Sequence, residues 1–153
     1  MTVFQIVASP DIVDVLRHEH EQIRRLCADV QRAGRDHKKR PFAALRQAVH
    51  RHQFGESAIA HPAVRNSGPD GDAVALDLQT RGEQLDRSIA ELDRLGLGHA
   101  DFDDRFAALS DALRDHFADQ ERDEFPLLRR HVPAQRRHMM ASAMQDARIL
   151  ALG

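Results

Sequence analysis

The chain has 153 residues, 30% of them charged, yet its formal net charge is only -2. That length fits one domain with a full core, and that balance excludes a strongly basic surface for nucleic acid or another polyanion. A single cysteine, Cys27, excludes an internal disulfide and fits a reducing cytoplasm. The opening Met1-Thr-Val-Phe-Gln-Ile-Val-Ala-Ser lacks the basic start and the apolar length of a signal peptide. No run of about 18 apolar residues offers a membrane span.

Ser9-Pro10-Asp11 predicts a helix start, with a capping serine, proline at the first helical position and an acid in the first turn. Ile12, Leu16, His20, Ile23, Cys27 and Val30 then recur at helical spacing, and Gly34 supplies the stop. His20 stands in the middle of this apolar stripe. A second helix is expected from near Pro41, with Leu45, Val49, His52, Glu56 and Ile59 inward, ending by His61-Pro62. The turn residues Asn66 to Gly71 follow. A third helix is expected from about Asp72 to Leu95, with Leu78, Leu85, Ile89 and Leu92 inside and Gly96 as its stop. The fourth starts around Asp101, carries Phe106, Leu109, Leu113, His116 and Gln120, and continues to about His131. Pro133 opens a shorter fifth helix through Met139, Met140, Met144 and Leu150. Strand signals are absent. The expected fold is all-α: an up-down-up-down four-helix bundle over about 10–131, with an extra C-terminal helix over about 134–151, in one domain of 153 residues.

A repeated frame runs through the even helices. His52 is followed ten residues later by Pro62, and His116 ten residues later by Pro126. Within it Glu56 corresponds to Gln120. A histidine and a carboxylate one helical turn apart share a face, so both can reach one metal ion. The odd helices repeat too: Glu21-Gln-Ile-Arg-Arg precedes Gly34 as Glu83-Gln-Leu-Asp-Arg precedes Gly96. In this register His20 falls opposite Gly82. The first hairpin carries three good ligands and the second has kept one.

The segment Asp14-Val-Leu-Arg-His-Glu-His-Glu-Gln-Ile-Arg-Arg-Leu and the frames ending His61-Pro-Ala-Val-Arg and Glu124-Phe-Pro-Leu-Leu resemble the hemerythrin-like, or HHE cation-binding, domain. The resemblance covers about residues 10–131 and implies a bacterial-type bundle. It also implies a site of non-haem iron, one or two ions, that binds oxygen or responds to iron, oxygen, nitric oxide or peroxide. Carried over residue by residue, it makes His20, His52, Glu56 and His116 metal ligands. The helix-three histidine of the family is Gly82 here, and the helix-four acid is Gln120. Glu121, one residue on, stands where the family's alternative His-x-x-x-x-Asp spacing puts its acid. The implied site is therefore reduced, either mononuclear or an asymmetric pair. Imidazole and carboxylate suit iron, manganese or zinc alike.

Each of these residues also has a plainer reading. The histidines could be core residues satisfied by Glu56, Gln120 and water, in a bundle that serves as a metal-free structural or interaction module. Glu121 could be solvent-exposed, Gln84 a surface residue and Cys27 small core packing. Gly82 and Gly55 could leave room beside the histidines, Gly82 together with Gln120 then lining a small-ligand or cofactor site. They could equally mark close helix packing. An enzyme using the vacated half would show a pocket flanked by Gly82, Leu78 and Leu113. His18 and His50 point away from the inner faces. Neither the basic stretch His37-Lys-Lys-Arg nor the arginines near the fourth helix's end has the aromatic interleaving of a nucleic-acid surface. The chain has no tyrosine or tryptophan, which removes a phenolate ligand and tyrosyl-radical chemistry. The sequence leaves the oligomeric state open.

Overall fold

The computed structural model describes residues 9–152, without side-chain detail for 147–152. The opening segment and the side chain of Leu150 lie outside the described residues. The described residues are helical with no strand. Helix α1 (Ile12–Arg32) is started by Asp11, whose side chain accepts from the Asp14 backbone while Asp14 returns the bond, a capping box two residues later than the expected Ser9-Pro10 start. A short 3-10 turn, Arg35–His37, leads into α2 (Lys39–Gly55). Lys38, in the basic stretch His37-Lys-Lys-Arg, is buried and donates from Nζ to the Val30 carbonyl at 2.7 Å. It thereby satisfies a carbonyl in the last turn of α1.

The largest departure follows α2. The helix was expected to stop at His61-Pro62, but it passes through a π-turn, Glu56–Ala60, into α3 (His61–Arg65). Pro62 has no N–H to donate, and its ring would collide with the carbonyl four residues back in a regular helix. The wider turn, closed by the His61 N–H on the Glu56 carbonyl, lets the rod continue past the ring. Helix α4 (Pro69–Leu95) begins three residues before the expected Asp72, with Gly68 at φ 117 and Pro69 in its first turn. Gly96, at φ 94, ends it as read from the sequence. The fourth predicted helix is two, α5 (Phe102–Asp123) and α6 (Phe125–His131), interrupted at Glu124 just before Pro126. The last helix, α7 (Ala134–Leu152), buries Met140 and Met144 but exposes Met139.

Around the interior, α1 lies against α2 and α5, and α4 lies against α3 and α5. Helix α7 packs across α1 and α2. It approaches closely at Gly55, where a Cβ would run into the sulfur and methyl of Met144. Two apolar clusters fill the bundle. One joins Ile23, Cys27, Phe42, Leu45, Leu85, Leu113 and Phe117 among others. The other joins Leu16, Ala60, Val64, Phe125, Leu128 and Met144 among others. Along the chain His20 falls between Leu16 and Ile23, and Glu56 between Val49 and Ala60. Gln120 likewise falls between Phe117 and Phe125. The polar side chains thus form a layer between two dry clusters, where each polar atom needs a partner.

Candidate metal centre

His20, on α1, is fully buried and held face-on against Phe117, with ring centroids 4.2 Å apart and an interplanar angle of 13°. Phe125 stacks at 5.7 Å. This packing fixes the plane of the imidazole. His52 sits on α2 with Glu56 one turn later. In the structure one donor atom each from His20, His52 and Glu56 lies within 4.8 Å of the others, a separation at which a single ion can be held.

The carboxylate of Glu56 is the centre of the layer. Its Oε1 lies 2.7 Å from His52 Nε2 and 3.8 Å from His20 Nε2, and its Oε2 lies 3.6 Å from His61 Nε2. The 2.7 Å contact pairs the Glu56 charge with His52, but none of the three contacts has the full geometry of a hydrogen bond, and both oxygens are buried without a hydrogen-bond partner among the described residues. His52 Nε2 and His20 Nδ1 are in the same condition. Buried polar atoms left this way are costly unless something else satisfies them. A cation accepting the histidine lone pairs and the carboxylate would do so, and the donor set of two imidazoles and one carboxylate suits iron, manganese or zinc.

The protonation states are set by opposing effects. Burial alone would lower His52, but the Glu56 and Glu19 carboxylates outweigh it and hold the imidazole up at about 10. Burial would raise Glu56, but the charge on His52 and the nearby His20 and His61 imidazoles outweigh it and keep it well below the usual carboxylate range. For His20 burial prevails over Glu56 and the pKa falls. His116 is pushed down by burial to about 4.

The remaining sequence candidates are placed differently. His116 is buried, and neither ring nitrogen has a hydrogen-bond partner among the described residues, but it stands outside the three-residue cluster. Gln120 is fully buried and neutral: its Oε1 accepts from His20 Nε2 at 2.8 Å, and its Nε2 donates to Glu124 Oε1 at 2.7 Å. Glu121 lies at the rim, with Oε2 accepting from Arg24 at 3.0 Å and standing 3.8 Å from His20 Nδ1. Arg17 adds a second cation at 3.7 Å. Gly82 is covered by the side chain of Gln53, whose Oε1 would be 2.8 Å from a Cβ placed there and whose Nε2 donates to the Gly82 carbonyl at 3.3 Å. A groove of about 200 Å³ opens on the outer side of that glutamine, lined by His50, Ser57, Gln79 and Asp86 among others rather than by Leu78 and Leu113. Cys27 is buried in the apolar core, and His18, His50 and Gln84 are exposed.

Four buried residues of this layer escaped the sequence reading. Glu19 accepts from His52 Nδ1 at 3.3 Å. His61 donates from Nδ1 to Glu124 Oε2 at 2.6 Å. Gln53 fills the place beside Gly82. His61 and Glu124 lie just before the prolines of the two repeated frames. Those segments were read for the family resemblance and, at Pro62, for a helix stop, but not for side chains that enter the layer.

No helix among the described residues is long and apolar enough to cross a membrane. Residues 11–128 match the Hemerythrin HHE cation binding domain. No curated protein and no solved structure gives a significant match. A profile match across most of the chain, over a bundle whose interior gathers two histidines and a carboxylate, settles the family. This chain belongs to the hemerythrin HHE cation-binding domain family.

Proposed function

We propose that the chain is a cytoplasmic hemerythrin-like iron protein: one domain whose four main helical rods alternate up and down, with α7 as an added C-terminal helix. His20, His52 and Glu56 are its principal ligands. His116, with both ring nitrogens buried and without a hydrogen bond among the described residues, and Glu121, 3.8 Å from His20 Nδ1, are the further ligands of this reading. The observation that carries this reading is the Glu56 carboxylate: fully buried, facing histidines, and with neither oxygen hydrogen-bonded among the described residues.

Bound iron would supply an open coordination position and a ferrous–ferric couple for oxygen, nitric oxide or peroxide. The chain's own side chains do the rest. Phe117 and Phe125 hold His20 and keep water from its ring. Glu19 holds His52 by Nδ1, leaving Nε2 turned to the centre. Gln120 offers an amide in place of a charge, which makes the site asymmetric. A small molecule arriving from the groove on α4 would pass Gln53 and the missing side chain of Gly82. The test is to load the protein anaerobically with ferrous iron and add oxygen, nitric oxide or peroxide in turn while recording visible absorption. New bands with at least one of them are expected; a loaded protein inert to all three would contradict the reactivity.

A second reading has one observation in its favour. His20, Gln120, Glu124 and His61 form a continuous hydrogen-bonded run that needs no metal. A metal-free bundle serving as a structural or interaction module would keep that run, and would take up no ferrous iron.

A further inference from the structure

We propose that the chain has a second cation position on the Oε2 side of Glu56, formed with His61 Nε2 and braced by Glu124, so that Glu56 bridges two ions. This rests on the reading of His20, His52 and Glu56 as a metal centre and extends it to residues outside that set.

The two oxygens of Glu56 address different histidines. Oε1 faces His52 at 2.7 Å and His20 at 3.8 Å, whereas Oε2 faces His61 at 3.6 Å. The last distance is too long for a hydrogen bond. It is close to the separation of two donors that share an ion at bond lengths of about 2.1 Å. Oε2 is also buried with no hydrogen bond among the described residues, so it is an unpaired group aimed at His61.

Both histidines are prepared in the same way. His52 Nδ1 bonds to the buried carboxylate of Glu19 at 3.3 Å, and His61 Nδ1 bonds to the buried carboxylate of Glu124 at 2.6 Å. In each case a carboxylate holds one ring nitrogen and the other is turned to Glu56. This is the pattern by which outer carboxylates orient histidine ligands and raise their basicity. Gln120 holds the other oxygen of Glu124, which fixes the brace in turn.

The backbone explains why His61 is available. Five residues along a regular α-helix is about 140° round from the starting residue, so His61 would point away from Glu56. The π-turn Glu56–Ala60 takes up the extra residue and returns His61 to the same face. The ligand therefore comes from α3 and not from position 82 of α4, beside which Gln53 lies. With one imidazole, one shared carboxylate and water, it suits a divalent first-row ion such as manganese or ferrous iron and should be the weaker of the two.

The experiment is an anaerobic titration of the full chain with manganous ion, counting bound metal and recording the electron paramagnetic resonance spectrum. The parent should take up about two ions, with the multiline spectrum of a carboxylate-bridged, exchange-coupled pair. His61→Gln should retain about one ion and show only the six-line spectrum of an isolated centre, with helical circular dichroism unchanged. Glu124→Gln should weaken the second ion by about 10- to 100-fold and leave the first in place. If the parent binds one uncoupled ion, the second position is overturned while the His20–His52–Glu56 centre stands. Two coupled ions in both the parent and a folded His61→Gln would overturn the role of His61. No uptake by the parent would overturn both readings. Should His61→Gln fail to fold, the parent's count and coupling, with Glu124→Gln, still decide.

Discussion

The half of the polar layer built on α1 and α2 and the half built on α4 and α5 share one repeated spacing and differ in what they place on it. In the first, His20, His52 and Glu56 are buried with donor atoms that nothing among the described residues hydrogen-bonds. In the second, Gly82 offers no side chain and Gln120 is neutral, bonded on one side to His20 and on the other to Glu124. Its His116 remains without hydrogen bonds on either nitrogen. A glutamine that satisfies its neighbours leaves no charge for an ion to balance, whereas the Glu56 carboxylate, paired with His52 but without a hydrogen bond, offers an ion a charged ligand. The three side chains that could hold an ion together belong to the first half.

The largest effect should come from the first half's anchors. His52→Ala removes a ligand and leaves Glu56 buried without its nearest counter-charge, so ferrous uptake should fall by at least about 100-fold. Unchanged metal content in a folded variant, by elemental analysis, would rule out His52 as an anchor. Next in size is repair of the second half. Gly82→His with Gln120→Glu should add about one ion per chain, but only once Gln53→Ala has cleared the side chain now 2.8 Å from the new Cβ position. If the triple variant keeps the parent's stoichiometry, the pairing of His20 with Gly82 is wrong.

The two halves should also part company with pH in the metal-free protein. His52 is raised in the fold to about 10, so its stabilisation is complete below its unfolded value near 6.5 and is lost as pH climbs through about 10. His116 is depressed to about 4, so its contribution is present above about 6.5 and is lost as pH falls towards about 4. Thermal melts should therefore be highest between these two windows, and replacing His116 with glutamine should make the acid side less steep and leave the alkaline side unchanged, the depressed Glu56 and His20 supplying the rest of the acid loss. An unchanged acid limb in that variant would contradict the placement of His116. Metal uptake must also displace the proton on His52, so apparent affinity should rise with pH below about 10. Calorimetry in buffers of different ionisation enthalpy reads that proton release.

The smallest effect belongs to the rim. Glu121→Gln loses contacts with Arg24 and Arg17 that are partly solvent-screened, worth up to about 1 kcal/mol in a thermal or urea melt. Its effect on metal affinity should be well below that of Glu56→Gln. An equal loss would make Glu121 a principal ligand.

Helical period alone located the long helices, since Ile12, Leu16, Ile23 and Val30, or Leu78, Leu85, Ile89 and Leu92, fall inside on one face. Gly96 was legible as a stop because its positive φ is what glycine supplies. His20, His52 and Glu56 were legible for the same reason as the core: they occupy positions on the apolar stripe where a charged or polar residue is expensive. His61 was not legible. Its inward course depends on a five-residue turn that period-3.6 reasoning treats as an ending, and proline reinforced that reading. Nor was Gln53, because the space beside Gly82 is filled from another helix, and pairwise contact across a bundle is not written in either helix's period.

The most direct measurement is the metal content of protein produced without added metal or a histidine tag, together with its uptake of ferrous iron under anaerobic conditions. Iron bound in the parent and lost in His52→Ala would support a centre built on α1 and α2. A parent without metal that takes up none when offered it would contradict that centre. The buried layer would then be a self-contained hydrogen-bonded structure.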